Sequence, residues 1–381
     1  MPDGGLFRGA RYRDVHLYGI YADKFFRGEL PYRDLFVEYP PGAFAVFLPP
    51  AILPAGNYNF AFKSLMALCG LGALFAVTLA LLSLGVRGRR LYAAAALFAL
   101  SPLVVGPISL NTYDLWPAAL TAGALAALLR RRHLLGFALL GLAATAKLYP
   151  LVIVPPALVY VWAAAGRRRA LESAAVLVGV ALFVIAPFAV IAPGGLWDSF
   201  HAQAARGLQI ESIGAALLLA AHRLGFYDAT VVEGATGAVS RDLAGSLPDA
   251  LAKVLSALQL VAVALVWLIF MRRRPSPERL VLAAAATVTA FLVFNRFISP
   301  QYLVWLIPLV LVVPGRSGLV AAGLLAGSLV LGQLWFFHYH AVWALDRIVW
   351  LVVARDAALV ALYVLLVVRL STSTPSPKPQ A

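Results

Sequence analysis

The feature that most constrains this chain is a spacing. Apolar runs of roughly twenty residues recur along it, and short arginine clusters stand in the gaps between them, at 87–90, 130–132, 167–169 and 272–274. Such a run, rising ~1.5 Å per residue as a helix, crosses the ~30 Å hydrocarbon core of a bilayer. No water is present there to satisfy a bare backbone group, so a chain made of these runs folds as packed helices. Arginine confined to short gaps is the pattern of loops held on the cytoplasmic side. That placement accounts for the net charge of +14 without nucleic acid as a partner. With 62% of residues hydrophobic and 13% charged, one soluble core is excluded, because soluble domains carry about 25% charged residues. The expected fold class is all-α, a polytopic transmembrane helical bundle in the cell membrane.

Taken in order, the runs give about eleven passes. They fall at 57–84, 91–108, 115–129, two short crossings within 134–166, then 171–191, 251–271, 280–294, 302–313, 319–337 and 349–368. Residues 42–54 are too short to cross and contain Pro49, Pro50 and Pro54, so they read as a re-entrant or interfacial helix. The division that follows is an outer acidic catalytic loop at 1–41, a transmembrane module at 42–192, a long outer loop at 193–249, a second module at 250–370 and a disordered tail at 371–381. An amphipathic helix is expected near 215–224, inside the long loop. Cys69 is the only cysteine, which excludes a disulfide framework and a thiolate metal site.

Acidic residues are scarce, yet Asp14, Asp23, Glu29, Asp34 and Glu38 all fall between Tyr12 and Pro41, out of 17 in the chain. Carboxylates held against a bilayer are costly unless paired or functional. Alternating the passes brings further polar residues to the same side: Asn111 and Asp114, Lys147, His201, Arg206, Gln209 and Glu211, Arg296, Gln301 and Tyr302, and His338 with His340. Carboxylates beside cations at a membrane surface suit a reaction needing a base and a grip on an anionic phosphate. Plainer readings stand beside these. Asp114 fits as the cap of the helix starting at Leu115, Lys147 as a snorkelling lysine, and Arg206 with Glu211 as a surface ion pair. His338 and His340 have a spacing that one helical face does not bring together, so no metal site is read from them.

The order of these motifs resembles a family. It runs from Asp14 through GELPYRD at 28–34 and EYPP at 38–41 to a turn closing on Asp114, KLYP at 147–150 and SPQYLVW at 299–305. This is similar to the GT-C superfamily of integral-membrane glycosyltransferases that use polyprenyl-phosphate sugars. Within it the chain resembles the bacterial polyprenyl-phosphate-mannose-dependent alpha-mannosyltransferases. The resemblance implies a sugar, mannose, moved with inversion from a polyprenyl-phosphate donor to a lipid-linked or glycan acceptor on the outer face. It implies Asp14 as general base with Glu38 as a second catalytic acid. Asp34, Asp114, Lys147, His201, Arg206, Glu211, Arg296, Gln301 and Tyr302 are then the substrate-binding set, with Lys147, Arg206 or Arg296 neutralising the phosphate. Tyr12, Tyr18, Tyr32 and Trp116 are expected to stack on sugar faces. No cofactor is required, though a divalent metal between Asp14 and Glu38 is allowed. The family starts with a transmembrane helix, and only about a dozen residues precede Asp14, so a missing first helix is expected. The alternative class, a transporter or flippase for a lipid or anionic solute, would place its ionisable residues at mid-membrane.

Overall fold

The computed structural model describes residues 14–54, 56–234, 240–336 and 347–373. Among the described residues each of the eleven expected crossing segments contains helix. Among the described residues six helical stretches are long and apolar enough to cross a membrane: Tyr58–Ser83, Gly88–Val105, Tyr149–Ile191, Ser246–Met271, Gly315–Phe336 and Val349–Thr372. Shorter apolar helices at Leu115–Leu129, His133–Ala146 and Pro300–Leu311 complete the bundle with Pro277–Val293. The long stretch is two helices, because Gly166 breaks it with φ 85° and ψ 169°. A side chain is disfavoured at that φ, and the three arginines that follow start the second half.

Two helices are short because they are central. Pro277–Val293 has nearly every side chain buried, including the run Ala283–Ala286 at 0% exposure. Lipid is as apolar as leucine, so helices in a membrane are held by close packing, and small residues let backbones approach. Pro277–Val293 packs on Ser246–Met271 and Val349–Thr372; Leu115–Leu129 packs between Tyr58–Ser83 and His133–Ala146. At the arginine-bearing end, Arg279 is fully buried and donates to the Ile269, Phe270 and Leu370 carbonyls. Those are last-turn acceptors of two neighbouring helices, which have no partner within their own helix.

Three expectations need revision. The acidic opening is not an open loop: Asp14–Phe26 is a helix that buries Val15, Tyr18, Tyr21 and Ala22 on one face, because those positions recur at helical spacing. Residues 41–52 do form the expected short apolar helical segment, as turns at Pro41–Ala43, Phe44–Phe47 and Pro49–Ile52. Residues 193–249 are not a long loop either but a small folded cap. It contains the helices Pro193–Ala204 and Ile213–Arg223, the second close to the expected amphipathic helix. It also contains β1 (Leu208–Gln209), β2 (Thr230–Glu233) and β3 (Arg241–Ala244), antiparallel with β3 in the middle. The fold is therefore a helical bundle with one minor sheet. The cap has its own apolar cluster, in which Leu208, Ile210, Leu219 and Leu243 meet Leu255, Trp335, Val349 and Val352 of the bundle. Finally, 302–313 is no plain pass, because Pro300 and Pro308 divide it into the turn Pro300–Trp305 and the helix Leu306–Leu311. Tyr12, His338 and His340, and most of the 371–381 tail, lie outside the described residues.

Candidate active site

Two chain reversals build the floor of the site. Helix Leu115–Leu129 starts just after Asp114, whose backbone is helical (φ −64°) and whose side chain makes no capping bond. Helix His133–Ala146 ends at Lys147, which is extended at φ −152° and ψ 147°. The two side chains meet: Lys147 Nζ lies 2.7 Å from Asp114 Oδ1. The Trp305 indole donates to the same oxygen at 2.7 Å. Capping and snorkelling are therefore both set aside, and the lysine that looked uncompensated in sequence has a carboxylate partner. Aromatic rings surround its ammonium, with Tyr113, Tyr302 and Trp305 centred 4.7, 4.8 and 5.0 Å away. Asp114 Oδ2 is buried with no hydrogen-bond partner among the described residues.

Asp14 joins this pair electrostatically. Its carboxyl is pushed up from 3.8 to about 6, first by burial, then by the negative charges of Asp114 and Glu38, with Lys147 opposing. Below lies a packed aromatic floor. Tyr18 stacks on Phe47 at 4.2 Å and meets Tyr39 and Tyr113 edge-on. Tyr18 is buried at 1% exposure, and burial holds its hydroxyl well above the ordinary range. Tyr32 is buried too, in the left-handed region at φ 67°, with its hydroxyl on the Tyr39 carbonyl at 2.5 Å. These rings are committed to packing, so Tyr18 and Tyr32 do not present faces to a sugar as expected. Trp116 is half-buried and donates to the Gly42 carbonyl at 3.3 Å.

The cap closes over the floor. Gly195 sits where any side chain would overlap the Tyr32 carbonyl, so the helix Pro193–Ala204 can seat directly on that turn. Gln203 donates to the Glu38 carbonyl at 3.1 Å, and Arg206 reaches Glu38 Oε2 at 3.5 Å while lying over the Phe297 ring. Arg206 therefore pairs with Glu38, and not with Glu211 at the surface. Glu211 is buried, and its carboxyl rises from 4.5 to about 8, with burial the first cause. Arg296 donates to the Ala204 carbonyl, and its own carbonyl accepts from Gln209. Gln301 is half-buried beside Tyr302, which stacks on Trp305 at 4.5 Å.

The structure thus brings together Asp14, Glu38, Asp114, Lys147, Arg206 and Tyr302. It does not bring Asp34 to them: that carboxylate is spent on Arg33 and the Leu30 amide in its own exposed turn. His201 is exposed and stacks on Trp197. Asp23 and Glu29 pair with Arg27 and Lys24 at the surface. Among the described residues no three of His, Cys, Asp and Glu group closely enough to hold a metal ion. Sequence reasoning passed over Arg355 and Asp356, buried neighbours bonded to one another at 2.8 Å. The signal was present, since two charges inside the apolar run of Val349–Thr372 are costly in a membrane.

A half-buried carboxyl raised to about 6, set beside two carboxylates and two cations, has the chemistry to take a proton from a hydroxyl and hold an anion close by. The family model described as Glycosyltransferase family 87 matches residues 36–300, well over half of the chain. The chain belongs to glycosyltransferase family 87. The match bears out the resemblance to membrane glycosyltransferases, and the family 87 segment spans both reversals, the cap and the start of the Pro300 turn. No curated protein matches the sequence. Among solved structures, this family 87 chain is similar to ArnT from Cupriavidus metallidurans bound to undecaprenyl phosphate, at 16% identity and a TM-score of 0.49, covering 94% of this chain and 73% of that one.

Proposed function

We propose that this membrane glycosyltransferase moves a sugar, mannose, from a polyprenyl-phosphate donor to a lipid-linked or glycan acceptor on the extracytoplasmic side. One observation carries the reading: the Lys147–Asp114 pair, closed at 2.7 Å, lies within electrostatic reach of Asp14, whose carboxyl is raised to about 6. The acceptor hydroxyl gives its proton to the Asp14 carboxylate as its oxygen bonds to the anomeric carbon. The bond from that carbon to the phosphate oxygen breaks on the opposite face, which inverts the configuration. Polyprenyl phosphate leaves as an anion, so it needs charge neutralisation more than a proton. Lys147 and Arg206 supply it, held in place beforehand by Asp114 and Glu38. Glu38 orients the acceptor.

The test is transfer of radiolabelled mannose from polyprenyl-phosphate mannose in membranes carrying the protein. Transfer that needs the lipid donor supports the reading; transfer from a nucleotide sugar alone overturns it. Sidedness is tested with an impermeant thiol reagent in a Cys69→Ala background. Cysteine at the exposed cap position Asp198 reacts from outside intact cells and cysteine at Arg168 does not; the reverse result places the site on the other face.

A further inference from the structure

The cap reaches Glu38 through two side chains, Gln203 on its carbonyl and Arg206 on its carboxylate, and the segment carrying Arg206 is also held by a residue far away in the bundle. Residues 204–211 pair with β3 through β1 and through the Ile210 amide on the Arg241 carbonyl at 3.0 Å, and three further contacts reach them from outside the cap. Arg296 donates to the Ala204 carbonyl, Gln209 donates to the Arg296 carbonyl at 3.0 Å, and Arg355 donates to the Glu211 carbonyl. The first two involve Arg296, in the turn that follows the helix Pro277–Val293. The third crosses from the helix Val349–Thr372 to the cap and is made by an arginine with 0% exposure.

We infer that Arg355 is a positioning residue for the transferase, acting through the 204–211 segment to hold Arg206 against Glu38. The inference rests on the transferase reading above. Arg355 bonds Asp356 Oδ1 through Nε at 2.9 Å and Nη2 at 2.8 Å and lies over the Trp335 ring. Outside its own helix the guanidinium meets that ring and Glu211, whose carbonyl is the hydrogen bond it makes to the cap. A buried ion pair of this kind does not by itself favour folding, since apolar residues of like volume do as well or better. Neither is the cluster a self-sufficient network: Arg355 Nη1, Asp356 Oδ2 and Glu211 Oε2 are buried with no partner among the described residues. What the pair supplies is register. With Glu211 held, Arg206 has five residues in which to turn back over Phe297 and meet Glu38. Released, the segment keeps its pairing with β3 and the contacts from Arg296 but loses its hydrogen bond to the helix Val349–Thr372.

The test uses the full chain in membranes. Arg355→Met is made alone and together with Asp356→Leu, so that a folded variant lacking both charges is available if the single change misfolds. Two readouts follow. In a Cys69→Ala background, the thiol at Gln203→Cys, next to Glu38, reacts at least fivefold faster once Arg355 is lost, and Arg355→Lys restores slow labelling. In the transfer assay, loss of Arg355 lowers turnover about tenfold with folded protein unchanged. Arg206→Lys lowers it to a similar degree, and combining the two costs no more than the larger single loss. Unchanged labelling, or losses that multiply in the double variant, would show that Arg355 only ties cap to bundle. If wild type transfers no sugar from any polyprenyl phosphate, the transferase reading fails, and labelling alone then decides whether Arg355 holds the segment.

Discussion

Cations are buried at both ends of this bundle, and their partners differ. At the arginine-bearing end they meet backbone. Arg279 donates to the carbonyls of Ile269, Phe270 and Leu370, and the half-buried Arg90 to that of Val313. The carbonyls taken by Arg279 belong to helix last turns, where a positive charge also meets the negative end of the helix dipole. At the acidic end the cations Lys147, Arg206 and Arg355 meet carboxylates, and Asp114, Glu211 and Asp356 each keep a buried oxygen unmatched among the described residues. A carbonyl gains nothing from titration and cannot take a proton, so the first set can only hold helices together. The second carries spare acceptors at a cost to stability, and that cost is the mark of a site kept for chemistry.

The largest expected effect separates the ends outright. Asp14→Asn keeps the shape of the side chain and removes the base, so turnover falls 10²–10⁴-fold, roughly 3–5.5 kcal/mol in the barrier. Wild-type turnover also falls as pH drops through about 6, where Asp14 takes its proton, and the variant lacks that step. Stability moves the other way. The Asp14 carboxyl binds its proton more tightly folded than unfolded, at about 6 against 3.8. The stability it contributes is therefore present at low pH and lost as pH rises through about 6. Asparagine suffers no such loss. The variant melts above wild type at pH 7.5, and the gap closes towards pH 4. If Asp14→Asn keeps more than a tenth of turnover while Glu38→Gln is inactive, the base is Glu38.

Lys147→Met comes next. It leaves Asp114 buried beside Trp305 without a counter-charge, a loss of about 3–5 kcal/mol for a buried pair. Folded yield drops, and the folded remainder shows a raised apparent KM for the lipid donor. Lys147→Arg recovers much of both. Normal yield with unchanged donor kinetics would mean that this pair is no different from the surface pairs of the opening helix.

The bundle was legible because hydrophobic length is a local property: each crossing helix overlaps a run that declares itself. Asp14, Asp114 and Lys147 were legible for the converse reason, as charges beside apolar runs. Their pairing was not legible. Lys147 finds Asp114 across 33 positions, Arg206 finds Glu38 across 168 and Arg355 finds the Glu211 carbonyl across 144. No periodicity carries contacts of that range. The small sheet was hidden too, since strands of two to four residues such as Leu208–Gln209 and Arg241–Ala244 are too short to show alternation. Tyr18 and Tyr32 were misread for a related reason, because sequence shows a ring but not whether its faces are already covered.

At the other end the expected effect is on folding alone. Arg279→Met strips donors from carbonyls at two helix ends, and each carbonyl left unsatisfied costs about 1–3 kcal/mol. The unfolding temperature in detergent falls by several degrees, while transfer per folded molecule stays within twofold of wild type. A selective loss of turnover at Arg279 would dissolve the distinction between the two ends.

The smallest effect is expected inside the acidic segment itself, where twenty residues separate two aspartates of opposite character. Asp34 accepts from the Leu30 amide at 2.8 Å and from the Arg33 guanidinium at 2.8 and 2.9 Å. Those bonds hold its carboxyl below the usual range, the Arg33 bond first, so it stays ionised and is a poor proton acceptor at neutral pH. Its side chain is a third exposed, at 33%, where water screens the pair and leaves it little weight in stability. Asparagine at this position can still accept from the Leu30 amide. Asp34→Asn should therefore leave turnover within twofold and the melting temperature within a degree or two, with the pH step near 6 intact because Asp14 is untouched. A tenfold loss of turnover at Asp34, with folding unchanged, would bring this carboxylate into the site and make the division within the segment one of substrate contact instead of burial.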